Sequence, residues 1–228
     1  MIMPLTDPHT QPDYSRAALI TIDVQNDTLD GGTFEIPGTS AILPAVKQLC
    51  EVFRQAARPI VHVIRIYTPD AADADRCRRS VLRSGSCLLL KGSCGCRLAD
   101  ALLPVPDVDL DEDRLLAGEV QQIGPAERVL FKPRWGAFYR TPLESLLRDA
   151  GISTLVFCGC NFPNCTRASI YQASERDFRV AAVVDAISNI APPDVAWLET
   201  IGVGTLTADA ACRYMEAVNA SSVKKAPA

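Results

Sequence analysis

The chain predicts one α/β domain, a doubly wound, Rossmann-like sheet of about six parallel strands with helices on both faces. Apolar runs of strand length alternate with stretches of helical length along most of the sequence, the pattern of β-α-β units whose strands are buried on both faces. The length of 228 residues, 48% of them apolar, suits one well-buried core better than two. Glycine, proline and hydroxyl residues punctuate the apolar runs where strands hand over to helices.

Taken in order, residues 17–24 form the first apolar strand, followed by a helix over 41–57 and a second strand over 60–66. A third strand covers 128–131, and Thr141 with Pro142 marks the cap and first turn of a helix that Gly151 closes after residue 150. The strand over 154–158 leads into a helix over 166–176, and the strand over 180–184 into a helix over 195–201. Residues 204–207 form an edge strand before a last helix over 209–218. The domain spans 17–220, with a flexible arm over 1–16 and a disordered tail over 221–228.

Residues 68–125 resist this reading and are expected to form a lid-like insertion. They carry Asp73, Asp75, Arg76, Arg78, Arg79, Arg83, four cysteines and an acidic run over 107–113. Irregular segments over the carboxyl ends of parallel strands commonly wall substrate pockets. The basic cluster suits an anionic substrate group and the acidic run a polycation, so the two features point in opposite directions. Such charges also serve as an ordinary solvated face.

Composition excludes several functions. A net charge of -4 without a basic stripe gives no footprint for nucleic acid or an anionic membrane. No segment has the apolar core of a signal peptide or the length of a membrane span, so a soluble cytoplasmic protein acting on a small molecule is expected. Nine cysteines, an odd number, in a chain of this size read as free thiols. Cys77, Cys87, Cys94 and Cys96 cluster, but Cys94-Gly-Cys96 has no zinc-site spacing, and the two histidines, His9 and His62, lie far apart. No metal and no cofactor are expected. A thiol redox site is disfavoured because neither Cys94 with Cys96 nor Cys158 with Cys160 has the Cys-x-x-Cys spacing, and a dinucleotide-binding oxidoreductase because no Gly-x-Gly-x-x-Gly follows the first strand.

Three reactive residues end three strands: Asp23, Lys132 and Cys165. In a parallel sheet those ends converge on the crevice where doubly wound folds bind ligands. An Asp can act as general base toward a thiol, and an adjacent Lys can stabilise both anions. Cys165, at an apparent helix start, would have its ordinary pKa of about 8.5 lowered by the unpaired N–H groups and dipole of that terminus. Each residue also has a bland reading, as turn former, surface lysine or small core filler. Their joint placement at three strand ends sets the functional reading above it.

The motifs DVQND at 23–27, KPRWGAF at 132–138 and GCNFPNC at 159–165 resemble the three signatures of isochorismatase-like cysteine hydrolases, in order and spacing, across residues 17–189. The resemblance implies an oligomeric, doubly wound amidohydrolase, a homodimer or higher homo-oligomer, whose catalytic triad maps onto Asp23, Lys132 and Cys165. It also implies a cis peptide at Cys160-Asn161 and an oxyanion hole made by the N–H groups of Asn161 and Cys165. Gln25, Trp135, Phe138, Tyr139 and Phe162 are the expected pocket residues. The chain departs from the usual pattern at Thr28, Gly136 and Phe162-Pro163, which separates its substrate from those of better-known members. The His pair of nicotinamidases is missing, and retention of the cysteine argues against vinyl-ether hydrolysis. The expected reaction is cleavage of an amide, carbamoyl or lactam C–N bond through a thioester. The loop 159–165 is similar to that of streptothricin hydrolases, which open a lactam. Ureido-acid or carbamoyl-acid amidases and a non-catalytic binding module are the alternatives.

Overall fold

The computed structural model describes residues 7–106 and 108–223. In chain order the elements are β1 (Ala17–Ile22), α1 (Thr39–Gln55), β2 (Ile60–Ile64), α2 (Arg76–Arg83), α3 (Glu112–Leu116), β3 (Val120–Gly124), β4 (Glu127–Phe131), α4 (Leu143–Asp149), β5 (Thr154–Gly159), α5 (Arg167–Ser174), β6 (Arg179–Ile187), α6 (Pro192–Thr200), β7 (Gly204–Leu206) and α7 (Ala208–Val223). They build one sheet in the order β3-β4-β2-β1-β5-β6-β7. Every neighbouring pair is parallel except β3 with β4.

The sheet has seven strands rather than about six. The additional one, β3, lies at the end of the segment expected to be a lid and forms an antiparallel hairpin with β4. Its sequence, VQQIG, is partly buried except for the exposed Gln122, so an edge strand with two glutamines lacks the apolar run that marks its buried neighbours.

Alternation along the central strands explains why helices cover both faces. Ala18, Ile20 and Ile22 of β1, with Leu155 and Phe157 of β5, pack toward Leu143, Leu147, Ile170 and Leu198 of α4, α5 and α6. Ala17 and Leu19, with Val156 and Cys158, pack toward Val46, Leu49 and Phe53 of α1 and Met215 of α7. Both clusters are buried, and truncating a side chain such as Phe157, which is fully buried, would cost about 3–5 kcal/mol.

Register sets the site. Ile22 pairs with Val63 and with Gly159, and Ile64 pairs with Phe131. The ladder continues one residue further, with Asp23 N–H donating to Val63 O at 2.9 Å, Lys132 N–H to Ile64 O at 3.0 Å and Cys160 N–H to Ile22 O at 2.7 Å. Asp23, Arg65, Lys132 and Cys160 therefore stand in a row along the carboxyl edge. Gly159 has φ +115°, and a Cβ there would overlap Ile22 O, so the strand can turn into the loop at this point only without a side chain.

The segment 68–125 has an apolar cluster of its own, Tyr67, Ala71, Ala74, Leu82, Leu88, Leu89 and Cys96, with Phe34 packed against it. The Asp27 carboxylate ties it down, accepting from Leu89 N–H at 2.6 Å and Thr33 N–H at 3.2 Å. Of the arm expected to be flexible, Asp13 N–H donates to Thr154 Oγ1 at 2.9 Å and Tyr14 stacks on Tyr214 at 4.6 Å; residues 1–6 lie outside the described residues. Of the expected tail, 221–223 continue α7, and 224–228 lie outside the described residues. Among the described residues no helix is long and apolar enough to cross a membrane.

Candidate active site

Lys132 is 1% exposed, and its ammonium touches both other candidate residues. Nζ lies 2.9 Å from Asp23 Oδ2 and 3.4 Å from Cys165 Sγ. A further contact at 3.3 Å runs to Arg134 O. The lysine is held from behind as well, since Arg65, the residue after β2, donates to Lys132 O at 2.9 Å. Burial alone would lower the Lys132 pKa, but the charge of Asp23 and the facing Cys165 outweigh it and hold the ammonium above its ordinary range.

Asp23 sits in the left-handed region, φ 49°. Gln25 N–H donates to Asp23 O at 3.0 Å, and Thr28 Oγ1 lies 3.1 Å from the same carbonyl and 2.7 Å from Gln25 O. Thr28 thus fastens the turn that carries the aspartate. Asp23 Oδ1 is buried and takes no hydrogen bond, leaving one carboxylate oxygen free to accept a proton.

Cys165 lies within a π-helical turn, Phe162–Thr166, that runs into α5, rather than at the first residue of a helix. Its thiol pKa is raised, first by burial and then by the Asp23 charge, with Lys132 opposing. The shift runs opposite to the lowering expected from a helix terminus: desolvation and a facing carboxylate disfavour the thiolate more than the lysine favours it. Cys160 is pushed up to about 11, chiefly by burial. The Cys160-Asn161 peptide is cis, and the Asn161 N–H donates to no backbone acceptor among the described residues.

Asp23, Lys132, Cys165, Asn161 and Trp135 line one cavity of about 40 Å³. The other expected pocket residues lie elsewhere. Phe138 and Phe162 are buried in the core against α5, because apolar rings beside a packed helix gain more from burial than from a wet cleft. Tyr139 is 41% exposed at the surface. Gln25 is fully buried, and its amide donates to Arg65 O and Cys96 O at 2.8 and 2.6 Å while accepting from Arg65 N–H at 2.9 Å. With its side chain so committed, it braces the cavity wall from outside.

The sequence reading missed Arg65, Tyr67, Phe34 and Asn164, which also line the cavity. Arg65 carried a signal, a charged residue inside an apolar strand run. It is 3% exposed, 3.6 Å from each of Asp73 and Asp75, and has Tyr67 and Phe131 rings 4.4 and 5.3 Å away. Arg78 and Asp75, from the charged stretch singled out above, reach the cavity too. Gly136 is packed from outside: a Cβ there would overlap the Gln172 amide. That amide accepts from Phe138 N–H at 3.0 Å. Among the described residues no group of three or more His, Cys, Asp or Glu side chains could hold a metal ion. All nine cysteines are free thiols.

The sequence profile of the isochorismatase domain matches residues 17–198. The chain belongs to the isochorismatase domain family. Among family relatives, an Arabidopsis thaliana protein named probable inactive nicotinamidase is 27% identical over 201 residues, spanning 85% of this chain and 93% of that protein. Ureidoacrylate amidohydrolase from Methylorubrum extorquens is 28% identical over 200 residues, 79% of this chain and 73% of that protein. The crystal structure of an isochorismatase family protein from Desulfovibrio vulgaris superposes with a TM-score of 0.73 at 28% identity, covering 86% of this chain and 95% of that one.

Proposed function

We propose that this isochorismatase-family chain is a cysteine-dependent amidohydrolase that cleaves the C–N bond of a small amide or carbamoyl compound through a thioester. The observation that carries the reading is the contact of one buried ammonium with both the Asp23 carboxylate and the Cys165 sulfur, at 2.9 and 3.4 Å. The amidohydrolase relatives support the reaction class.

Because burial and the Asp23 charge raise the thiol pKa, the proton leaves as the sulfur attacks. Asp23, paired with Lys132 at 2.9 Å, takes it, and the Cys165–carbonyl carbon bond forms as the C=O electrons move onto oxygen. The N–H groups of Asn161 and Cys165 hold that oxyanion, a contribution of about 3 kcal/mol per donor in comparable sites. Asp23 returns the proton to the nitrogen as the C–N bond breaks and ammonia or an amine leaves. It then deprotonates a water whose oxygen bonds to the thioester carbon; the C–S bond breaks, the acid product leaves and the Cys165 sulfur recovers the proton from Asp23.

Cavity size bears on the substrate. A volume of about 40 Å³ holds roughly three water-sized groups, the bulk of a terminal carboxamide or carbamoyl head. This favours an open-chain end over the streptothricin lactam. The test is ammonia release from a panel of primary amides, ureido compounds and lactams, with intact-mass detection of the acyl-enzyme. Turnover lost in Cys165→Ala, with an adduct on Cys165 in the native chain, is the expected result. Turnover persisting in Cys165→Ala would remove the cysteine mechanism. An alkylatable Cys165 with no turnover on any member would favour a binding module.

A further inference from the structure

The inner cavity opens onto a second chamber of about 430 Å³, and the two share Phe34, Arg78, Trp135 and Asn164. A substrate whose carbonyl end occupies the inner cavity and whose remainder extends into the larger chamber would lie against these four residues. Charges around the inner cavity are otherwise matched: Lys132 faces Asp23 at 2.9 Å, and Arg65 faces Asp75 at 3.6 Å, whose Oδ2 also accepts from Tyr67 O–H at 3.0 Å. Asp73 is taken by Arg134 at 3.0 Å and Arg65 at 3.6 Å.

Arg78 is the cation left over. Its guanidinium carbon stands 4.1 Å from the centre of the Phe34 ring, a stack that fixes the plane of the fork without using its N–H donors. Among the described residues no carboxylate pairs with it, and none of the residues lining the outer chamber is acidic. Of the acidic run, the described residues Asp109, Asp111, Glu112 and Asp113 line neither chamber, which favours an anion over a polycation. A second unused donor lies on the inner wall: Arg65 Nε is buried and has no hydrogen-bond partner.

We propose that Arg78, braced on Phe34 at the junction of the two chambers, is the specificity residue that receives a carboxylate of the substrate, so that the enzyme selects amide or ureido acids over their neutral counterparts. The proposal rests on the amidohydrolase reading for the role of the inner cavity. A charge-assisted, two-point contact between guanidinium and carboxylate in a partly closed site would give the acid a preference of roughly 10- to 100-fold.

Binding is measured by calorimetry to Cys165→Ala, so that it does not depend on turnover. The probes are open-chain ureido and carboxamide acids of two to five carbons, each paired with its neutral methyl ester. The expected result is tighter binding of an acid than of its ester, with the ratio falling at least tenfold in Arg78→Ala and partly restored in Arg78→Lys. Arg76, exposed and outside both chambers, supplies the control, and Arg76→Ala should keep the ratio. Equal loss in Arg76→Ala, an unchanged ratio in Arg78→Ala with circular dichroism intact, or no binding by any acid would each overturn the proposal. Acid-selective binding without ammonia release by the native chain would leave Arg78 in place and remove the hydrolase reading. Release from acids and esters alike, insensitive to Arg78, would do the reverse.

Discussion

Lys132 and Asp23 form an ion pair, Nζ to Oδ2 2.9 Å, with side-chain exposures of 1% and 8%. Two charges removed from water to that extent depend on each other. Breaking such a pair leaves one of them buried without a partner, at about 3–5 kcal/mol, whereas replacing both by neutral groups costs far less. Lys132→Met and Asp23→Asn should each lower unfolding free energy by that amount in urea. The double variant should lose at least 2 kcal/mol less than the sum. Additivity within about 0.5 kcal/mol would show that the pair does not couple.

The same charges set opposite expectations for thiol reactivity and for turnover. Asp23 raises the Cys165 pKa and Lys132 lowers it, on top of the dominant effect of burial. Asp23→Asn therefore increases the thiolate fraction at pH 8, and iodoacetamide should label Cys165 faster than in the native chain. Amide turnover should nonetheless drop by about 100-fold or more, because the proton acceptor is gone. Lys132→Met should slow labelling at every pH up to 10. Slower labelling of Asp23→Asn at pH 8 would contradict the raised thiol pKa and its cause.

Much of this arrangement was legible in the residues, and the misses have physical causes. Strand ends at Asp23 and Lys132 follow from apolar runs that stop at a charge, and Cys165 follows from a strand stopping at Gly159. Parallel pairing then brings those ends to one edge of the sheet, and the register aligns them there. The pocket wall was harder because an aromatic ring has no sequence signature for facing a cleft instead of a core: Trp135 lines the cavity while Phe138 and Phe162, in the same two motifs, are buried against α5. Gln25 was misplaced for a related reason. A buried amide must satisfy all its donors and acceptors, and which partners lie in reach depends on Arg65 and Cys96, residues 40 and 71 positions away. The thiol shift was read from a dipole that sequence can suggest, while the larger influence, burial, is a property of the assembled fold.

Acid stability should trace to a second buried network, at the far side of β2 and β4. Glu127 accepts from Arg54 Nε at 2.8 Å and contacts His62 Nε2 at 2.7 Å; His62 Nδ1 in turn lies 2.7 Å from Thr21 Oγ1. Burial alone would raise the Glu127 pKa, but the bonds from Arg54 and His62 outweigh it and hold it at about 2, below the ordinary 4.5. A carboxyl whose folded pKa is depressed stabilises the fold above its unfolded value and loses that contribution as pH falls toward the folded one. The window is therefore pH 4.5 down to about 2, and the contribution at neutral pH is at most about 3 kcal/mol. Glu127→Gln should lower stability at pH 7 and flatten the decline across that window in urea titrations at stepped pH. A decline as steep as the native one would assign acid lability to other groups.

Gly95 offers the sharpest test of how the segment 68–125 is fastened over the site. A Cβ at this position would overlap the Asp27 carboxylate, which cannot swing aside without giving up Leu89 N–H at 2.6 Å and Thr33 N–H at 3.2 Å. Leu89 lines the inner cavity, and its carbonyl accepts from Tyr67 N–H at 2.8 Å. The strain of Gly95→Ala thus passes directly to the wall facing Lys132. Overpacking costs about 1–3 kcal/mol, and for a domain of this size each kcal/mol lowers Tm by about 2–4 °C. A fall in Tm is expected together with a several-fold rise in KM for whichever substrate the panel identifies, at a smaller cost in kcat. Because the clash is with one carboxylate, removing it should relieve the strain: Asp27→Ala should destabilise the Gly95→Ala background less than the native chain. Equal cost in both backgrounds would mean that Gly95 is small for a reason other than Asp27.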